Sequence, residues 1–179
     1  MGKIINSYIF PHPPIIIPEV GQGRERDAIK TIEAAKRASE DIRRDAPDTI
    51  IITTPHGLFF EDYFYIPTDS VLKGDMSRFG APGVKLEFEN NIELIDKIIK
   101  NALAEDIYCG GLENKLLRKM SVSKKIDHGA MVPLYYVEKE YRAHKSSAGE
   151  KSDVGDTPGS AVRNIAYSNA YSTSDNGAS

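Results

Sequence analysis

The sequence predicts an α/β domain, and three stretches predict it. Thr49-Ile50-Ile51-Ile52-Thr53-Thr54 is a continuous β-branched run, the pattern of a parallel strand covered on both faces. Ahead of it, residues 24–44 place Ala28, Ile29, Ile32, Ala35 and Ile42 at helical spacing, with Glu, Lys and Arg elsewhere. Ahead of that helix, the apolar residues 4–10 read as a further strand, so strand, helix and strand together compose a βαβ unit.

The elements follow in order. Pro11 ends the first strand because proline cannot donate to a sheet ladder, which delivers His12 to a strand end. Pro13 and Pro14 stiffen the chain there, and residues 15–17 return as an extended segment. A polyproline II ligand is the competing reading of this stretch, and the isoleucines, which look buried, argue against it. Glu19-Val20-Gly21-Gln22-Gly23 is a loop that lacks both the Gly-Lys-Ser/Thr of a Walker loop and the third glycine of a dinucleotide fingerprint. Pro47 stands just beyond the end of the first helix. Residues 57–88 are aromatic and lack helical periodicity. Phe59, Phe60, Tyr63, Phe64 and Tyr65 suit a core or edge strand, or the wall of a pocket for a planar substrate. Residues 75–83 form a surface loop over that pocket. Asn91 caps a helix over 92–103 with an apolar face of Leu94, Ile95, Ile98, Ile99, Ala102 and Leu103. Residues 112–123 form a basic, solvated helix, and Ile126-Asp127-His128-Gly129 places a loop-borne histidine before an apolar run.

Composition narrows the function. A chain of 179 residues suits one domain of roughly 100–200 residues. Its 40% hydrophobic and 27% charged content is that of a globular protein, which excludes wholesale disorder and a membrane class. A net charge of -3 supplies no electrostatic drive toward nucleic acid or an anionic membrane. No apolar stretch nears the roughly 20 residues that span a bilayer, and no signal peptide is recognisable, so a cytoplasmic location is expected. The single Cys109 fits a reducing compartment and, before Gly110-Gly111, reads as a small residue at a turn. Composition changes near Arg142. The domain is therefore set at residues 1–142, and residues 143–179, rich in Ser, Ala, Gly, Asn and Asp, are expected to be disordered and without strands. Their abrupt onset predicts a frameshifted or artificially joined end.

Chemistry concentrates in the histidines. Of the four, His12, His56 and His128 stand beside Pro or Gly at element ends, whereas His144 does not. In open α/β sheets ligands bind outside the carboxyl ends of strands, where His12 and His56 both fall. Two imidazoles there suit one transition metal, Zn, Fe, Cu or Ni, with His128 free to handle protons and Asp127 to orient its ring or raise its pKa.

Residues 8–18, 48–57 and 127–134 resemble the class III extradiol dioxygenase superfamily, whose type member is the catalytic β subunit of protocatechuate 4,5-dioxygenase. The nearest branch is the dioxygenase-like domain of the AmmeMemoRadiSam system proteins, related to the Memo proteins. The resemblance, over about residues 3–142, implies a three-layer α/β/α fold with a mostly parallel or mixed central sheet, incomplete at the C-terminus. It implies a non-haem Fe(II) site, with Zn or Cu as alternatives, in which His12 and His56 match the two histidine ligands and His128 the second-sphere acid/base. The substrates implied are a catechol-type aromatic diol and O2. The family's third ligand is a glutamate near the end of a longer domain, and Glu138, Glu140 and Glu150 do not align with it. A truncated site, weak metal binding and exposed apolar surface are therefore expected, the last favouring a homo-oligomer or a partner domain. A Memo-like metal- or partner-binding protein and a Zn metallohydrolase are the alternative functions.

Overall fold

The computed structural model describes residues 2–56, 58, 60–120, 123–147 and 165–169. It shows an α/β protein with mixed strand pairing. In chain order the elements are α1 (Pro18–Gly21), α2 (Ile29–Asp45), β1 (Ile50–Thr54), β2 (Phe64–Tyr65), β3 (Val71–Met76), β4 (Ala81–Glu89), α3 (Ile92–Ala104), β5 (Cys109–Gly110), α4 (Asn114–Lys119), α5 (His128–Ser147) and β6 (Ile165–Asn169). Strands β1 and β6 pair in parallel from Ile50 opposite Ile165 to Thr54 opposite Asn169, and β2 pairs in parallel with β5. Strands β3 and β4 form an antiparallel hairpin.

Helix α5 is the centre of the main core. Its Ala130, Met131, Val132, Leu134 and Val137 are at most 2% exposed, so its first turns are apolar nearly all round, as suits a helix with neighbours on several sides. Those neighbours are α2, β1 and β3. Helix α2 buries Ile32, Ala35 and Ser39, a stripe at helical spacing, and Ser39 Oγ donates to the Ala35 carbonyl at 2.9 Å, so no polar atom is stranded. The helix ends where Ala46 turns left-handed (φ 45°), its N–H bonding the Ile42 and Arg43 carbonyls just before Pro47. Arg43 Nε then reaches Glu140 Oε1 at 2.9 Å, tying α2 to α5.

The β3–β4 hairpin carries the other side of the core, with Leu72, Met76 and Phe88 buried. Gly74 is the point of closest approach. A Cβ there would lie 2.4 Å from Met131 Sδ and 3.1 Å from Ile126 Cβ, so only glycine lets β3 meet the start of α5. The Ile126 N–H donates to the Lys73 carbonyl at 2.8 Å, and Lys125 pairs with Asp75, so the segment leading into α5 is fastened along β3. Asn91 caps α3 as the sequence predicts, Oδ1 accepting from Leu94 N–H at 3.1 Å, while its Nδ2 donates to Thr49 Oγ1 at 2.8 Å.

Several local expectations are corrected. Residues 4–10 form no strand, and Ile4 and Ile9 are exposed, so the βαβ unit lacks its first strand. The apolar residues there come in adjacent clusters, Ile4-Ile5 and Tyr8-Ile9-Phe10, rather than in the alternation that a half-buried strand needs. Residues 14–16 are a 3-10 turn rather than extended chain, and the glycine-containing loop begins as α1. Strand β1 is exposed at Ile51, so it is not covered on both faces. Beyond residue 142, α5 continues to Ser147, and Ile165–Asn169 forms β6 where no strand was expected, because a short Ile165-Ala166-Tyr167 run is hidden in a polar composition. The remaining tail residues lie outside those described. The 112–123 helix is shorter than predicted and buries Leu117.

Phe88 is 1% exposed within this core. Phe88→Ala is expected to lower stability by about 3–5 kcal/mol, read from chemical denaturation, with a cost below about 1 kcal/mol arguing against the hairpin's place in the core.

Candidate functional site

The three histidines predicted from the sequence meet. His12 hangs from a short stretch anchored on both sides, by Phe10 packed on the core and by the fully buried Ile16 and Ile17. His56 stands two residues beyond the end of β1, and His128 is the first residue of α5 rather than part of a loop. Ring centroids lie 5.0 Å apart for His12 and His56, 6.0 Å for His12 and His128, and 4.1 Å for the stacked His56 and His128. The Nε2 atoms of His12 and His56 are 3.0 Å apart. His12 Nδ1 lies 3.3 Å from the Phe10 carbonyl, to which a protonated Nδ1 donates, leaving the Nε2 lone pair facing His56. All three rings are half-buried.

A polar junction places them. Thr54, buried at the end of β1, donates from Oγ1 to Asp127 Oδ1 at 2.9 Å and accepts from the His56 backbone N–H at 3.2 Å. Asp127 Oδ1 also accepts from the Gly129 N–H at 2.6 Å, which makes Asp127 the N-cap of α5. Gly129 is required for this approach, since a Cβ there would fall 2.2 Å from Thr54 Oγ1 and 2.9 Å from His56 Cδ2. Asp127 thus serves chiefly to start the helix that carries His128.

The pKa of His128 moves opposite to expectation. Burial lowers it first, the neighbouring His56 lowers it further, and His12 and Arg78 add to this, while Asp127 opposes them without prevailing. The amino end of α5 acts in the same direction as the burial, because the helix dipole there disfavours a cation. His128 is therefore held as a neutral imidazole able to accept a proton. Phe79, from the 75–83 segment, packs edge-on against its ring at 5.2 Å. The expected aromatic wall lies elsewhere: Tyr63 and Phe64 serve the β2–β5 pairing, Tyr63 donating to the Gly111 carbonyl, and Phe59 lies outside the described residues. Phe79 is the site residue that sequence reasoning missed by name, although the loop carrying it was singled out.

The donor set fits half of a metal site. Two imidazole nitrogens about 2.1 Å from one ion and about 90° apart are themselves about 3.0 Å apart, the spacing of His12 and His56 Nε2. A metal-binding histidine typically donates its second nitrogen to a carbonyl, as His12 does. Among the described residues no group of three or more His, Cys, Asp or Glu side chains could hold an ion. Glu138 lies ten residues along α5 from His128, about 15 Å away by helical rise, and pairs with Arg142, while Glu140 pairs with Arg43. Glu150 lies outside the described residues. His144, exposed near the far end of α5, is remote from the three.

The three histidines thus converge on an α/β scaffold, and residues 6–148 match the family described as the catalytic LigB subunit of aromatic ring-opening dioxygenase. The chain belongs to that family. Protein CA_C1420 of Clostridium acetobutylicum is 41% identical over 138 residues, 77% of this chain and 30% of that protein. The chain thus spans less than a third of the length of that relative. No helix among the described residues is long and apolar enough to cross a membrane.

Thr54→Val keeps the strand but removes the buried hydroxyl that bonds both Asp127 Oδ1 and the His56 N–H. It is expected to cost about 1–3 kcal/mol in thermal or chemical unfolding. Because Thr54 orients His56, it should also weaken Zn(II) or Fe(II) binding by about 10–100-fold in chelator competition.

Proposed function

We propose that this chain is, or forms part of, a cytoplasmic non-haem Fe(II)-dependent extradiol dioxygenase that opens a catechol-type aromatic diol with O2. The observation that supports it is the 3.0 Å convergence of His12 and His56 with His128 stacked alongside, in a chain of this family. His12 and His56 would hold the metal through Nε2. When bound, Fe(II) supplies a Lewis acid and a one-electron centre at which a diol and O2 are brought together. His128, held neutral, takes a proton from a substrate hydroxyl at its unprotonated ring nitrogen. Phe79 shields that ring from water on one side and offers an aromatic edge to a planar substrate. The third ligand, the carboxylate that the family adds to two histidines, comes from outside the described residues, so the isolated chain binds metal weakly.

A second reading, a Memo-like protein that binds metal or a partner without ring cleavage, draws support from the engagement of Glu138 and Glu140 in ion pairs away from the histidines. Oxygen uptake with catechol after anaerobic Fe(II) loading separates them: uptake supports the dioxygenase, metal binding without uptake supports the second reading. Oxygen-independent ester hydrolysis with Zn(II) would instead mark a hydrolase.

His12→Ala and His56→Ala are each expected to reduce metal affinity by more than about tenfold in the same chelator competition, because each removes half of the nitrogen pair. His128→Ala should leave metal affinity within a few-fold and lower any ring-opening rate by about 10²–10⁴-fold. Equal loss of metal by all three variants would remove His128 from its proton-handling role.

A further inference from the structure

We propose that the outer edge of β4 is a self-association site, at which β4 of a second copy of this chain pairs antiparallel about a two-fold axis at Leu86. The phase of the β3–β4 ladder shows which backbone groups are available. The Asn90 N–H donates to the Ser70 carbonyl at 2.9 Å, and the register continues with Leu72 opposite Phe88 and Gly74 opposite Leu86. Hydrogen-bonded pairs alternate along an antiparallel ladder, so Phe88 and Leu86 spend their main-chain groups on β3. The Lys73 carbonyl points the other way, to the Ile126 N–H, as that alternation requires. Lys85 and Glu87 therefore turn their N–H and C=O groups away from β3, and among the described residues no backbone bond meets them. Further along, the Asn91 N–H bonds the Ile165 carbonyl at 2.9 Å, so β6 closes this edge just past Glu89.

A hollow of about 530 Å3 opens beside the unclosed part, with Gly83, Val84, Lys85 and Leu86 on one side and Tyr135 and Arg142 of α5 on the other. Four consecutive strand residues border one hollow along an edge rather than a face, because alternate side chains point to opposite faces. Charge then selects the occupant. Lys85 is exposed and makes no ion pair among the described residues, while Glu87 pairs with Lys73 at 2.8 Å and stays 42% exposed. With Leu86 facing Leu86 across the axis, Lys85 of each copy stands opposite Glu87 of the other, and each such pair exchanges both of its main-chain bonds. Moving the axis to Lys85 or to Glu87 would set like charge against like. A lysine on an edge strand ordinarily wards off a second strand, but in this register it meets a carboxylate and selects one alignment. Gly83 falls opposite Glu89, where β6 closes in, and has no side chain to obstruct it.

Sedimentation velocity of the whole chain over about 5–500 µM tests this, and the expected result is a concentration-dependent monomer–dimer equilibrium of the weak class that small interfaces give. Lys85→Pro removes an outward N–H without touching the β3 ladder and should leave the chain monomeric over that range. Lys85→Glu and Glu87→Lys should each weaken the dimer by about tenfold, and the double variant carrying both should restore it, because exchanging the charges keeps them opposite. A wild-type chain that stays monomeric, a dimer that survives Lys85→Pro, or a double variant no tighter than the single ones overturns the proposal. Larger species insensitive to the charge exchange overturn it as well. Thermal unfolding identifies any variant that does not fold, and if Lys85→Pro is one, the charge exchange alone decides. The outcome is independent of the metal reading, which uses none of these residues.

Discussion

The site depends on how closely the start of α5 approaches the end of β1. Thr54 Oγ1 meets Asp127 Oδ1 at 2.9 Å across that contact, and a Cβ on Gly129 would sit 2.2 Å from the same hydroxyl. One buried hydroxyl thus caps no helix itself but holds the residue that does, and also fixes the backbone of His56. A buried polar group is worth most when every member of its network is satisfied, because the low dielectric that strengthens each bond also penalises each orphan. Moving α5 outward by even an ångström would break the Thr54–Asp127 bond and separate the stacked His56 and His128 rings together.

The same contact explains the electrostatics. A carboxylate next to a histidine ordinarily favours the imidazolium, and Asp127 does push His128 that way. Its Oδ1, however, is spent on Thr54 and on the Gly129 N–H, which spreads its charge into the helix start. Burial and two neighbouring imidazoles then outweigh it. The histidine pair follows a related logic. At 3.0 Å the His12 and His56 nitrogens satisfy one another by sharing one proton as an N–H···N bond, and the same separation suits two nitrogens on one ion.

Much of this was legible in the sequence, and the parts that were not have physical reasons. The long helix and the β-branched strand were readable because each has one strong period, and the Asn91 cap because its side chain bonds within its own turn. The histidines stood out because Pro or Gly beside each marked an element end. What could not be read was pairing at a distance. Residues 4–10 have the composition of a strand but no ladder, and Ile165–Asn169 has the composition of a polar tail but pairs with β1. The α5 helix was obscured by Pro133, which has no N–H for the Gly129 carbonyl and so breaks the local signal without ending the helix. Phe79 was hidden because an aromatic residue in a turn becomes informative only when its ring partner, 49 residues later, is known.

The hairpin and α5 act as one body. Ile126 is hydrogen-bonded to β3, Lys125 pairs with Asp75, and Met131 lies against Gly74, so the strand that ends in the Ser77–Phe79 turn also fixes the segment that begins α5. His128 and Phe79 are therefore positioned from a common frame, and their edge-on contact is a consequence of that frame rather than a separate interaction. His12 and His56 come from a different frame, the stretch between Phe10 and Ile16 and the end of β1. The junction at Thr54 is the bond that joins the two. The histidine pair and the turn beside His128 are therefore held by different elements, and loops carried on a rigid scaffold are where sequence can change at least cost to the core.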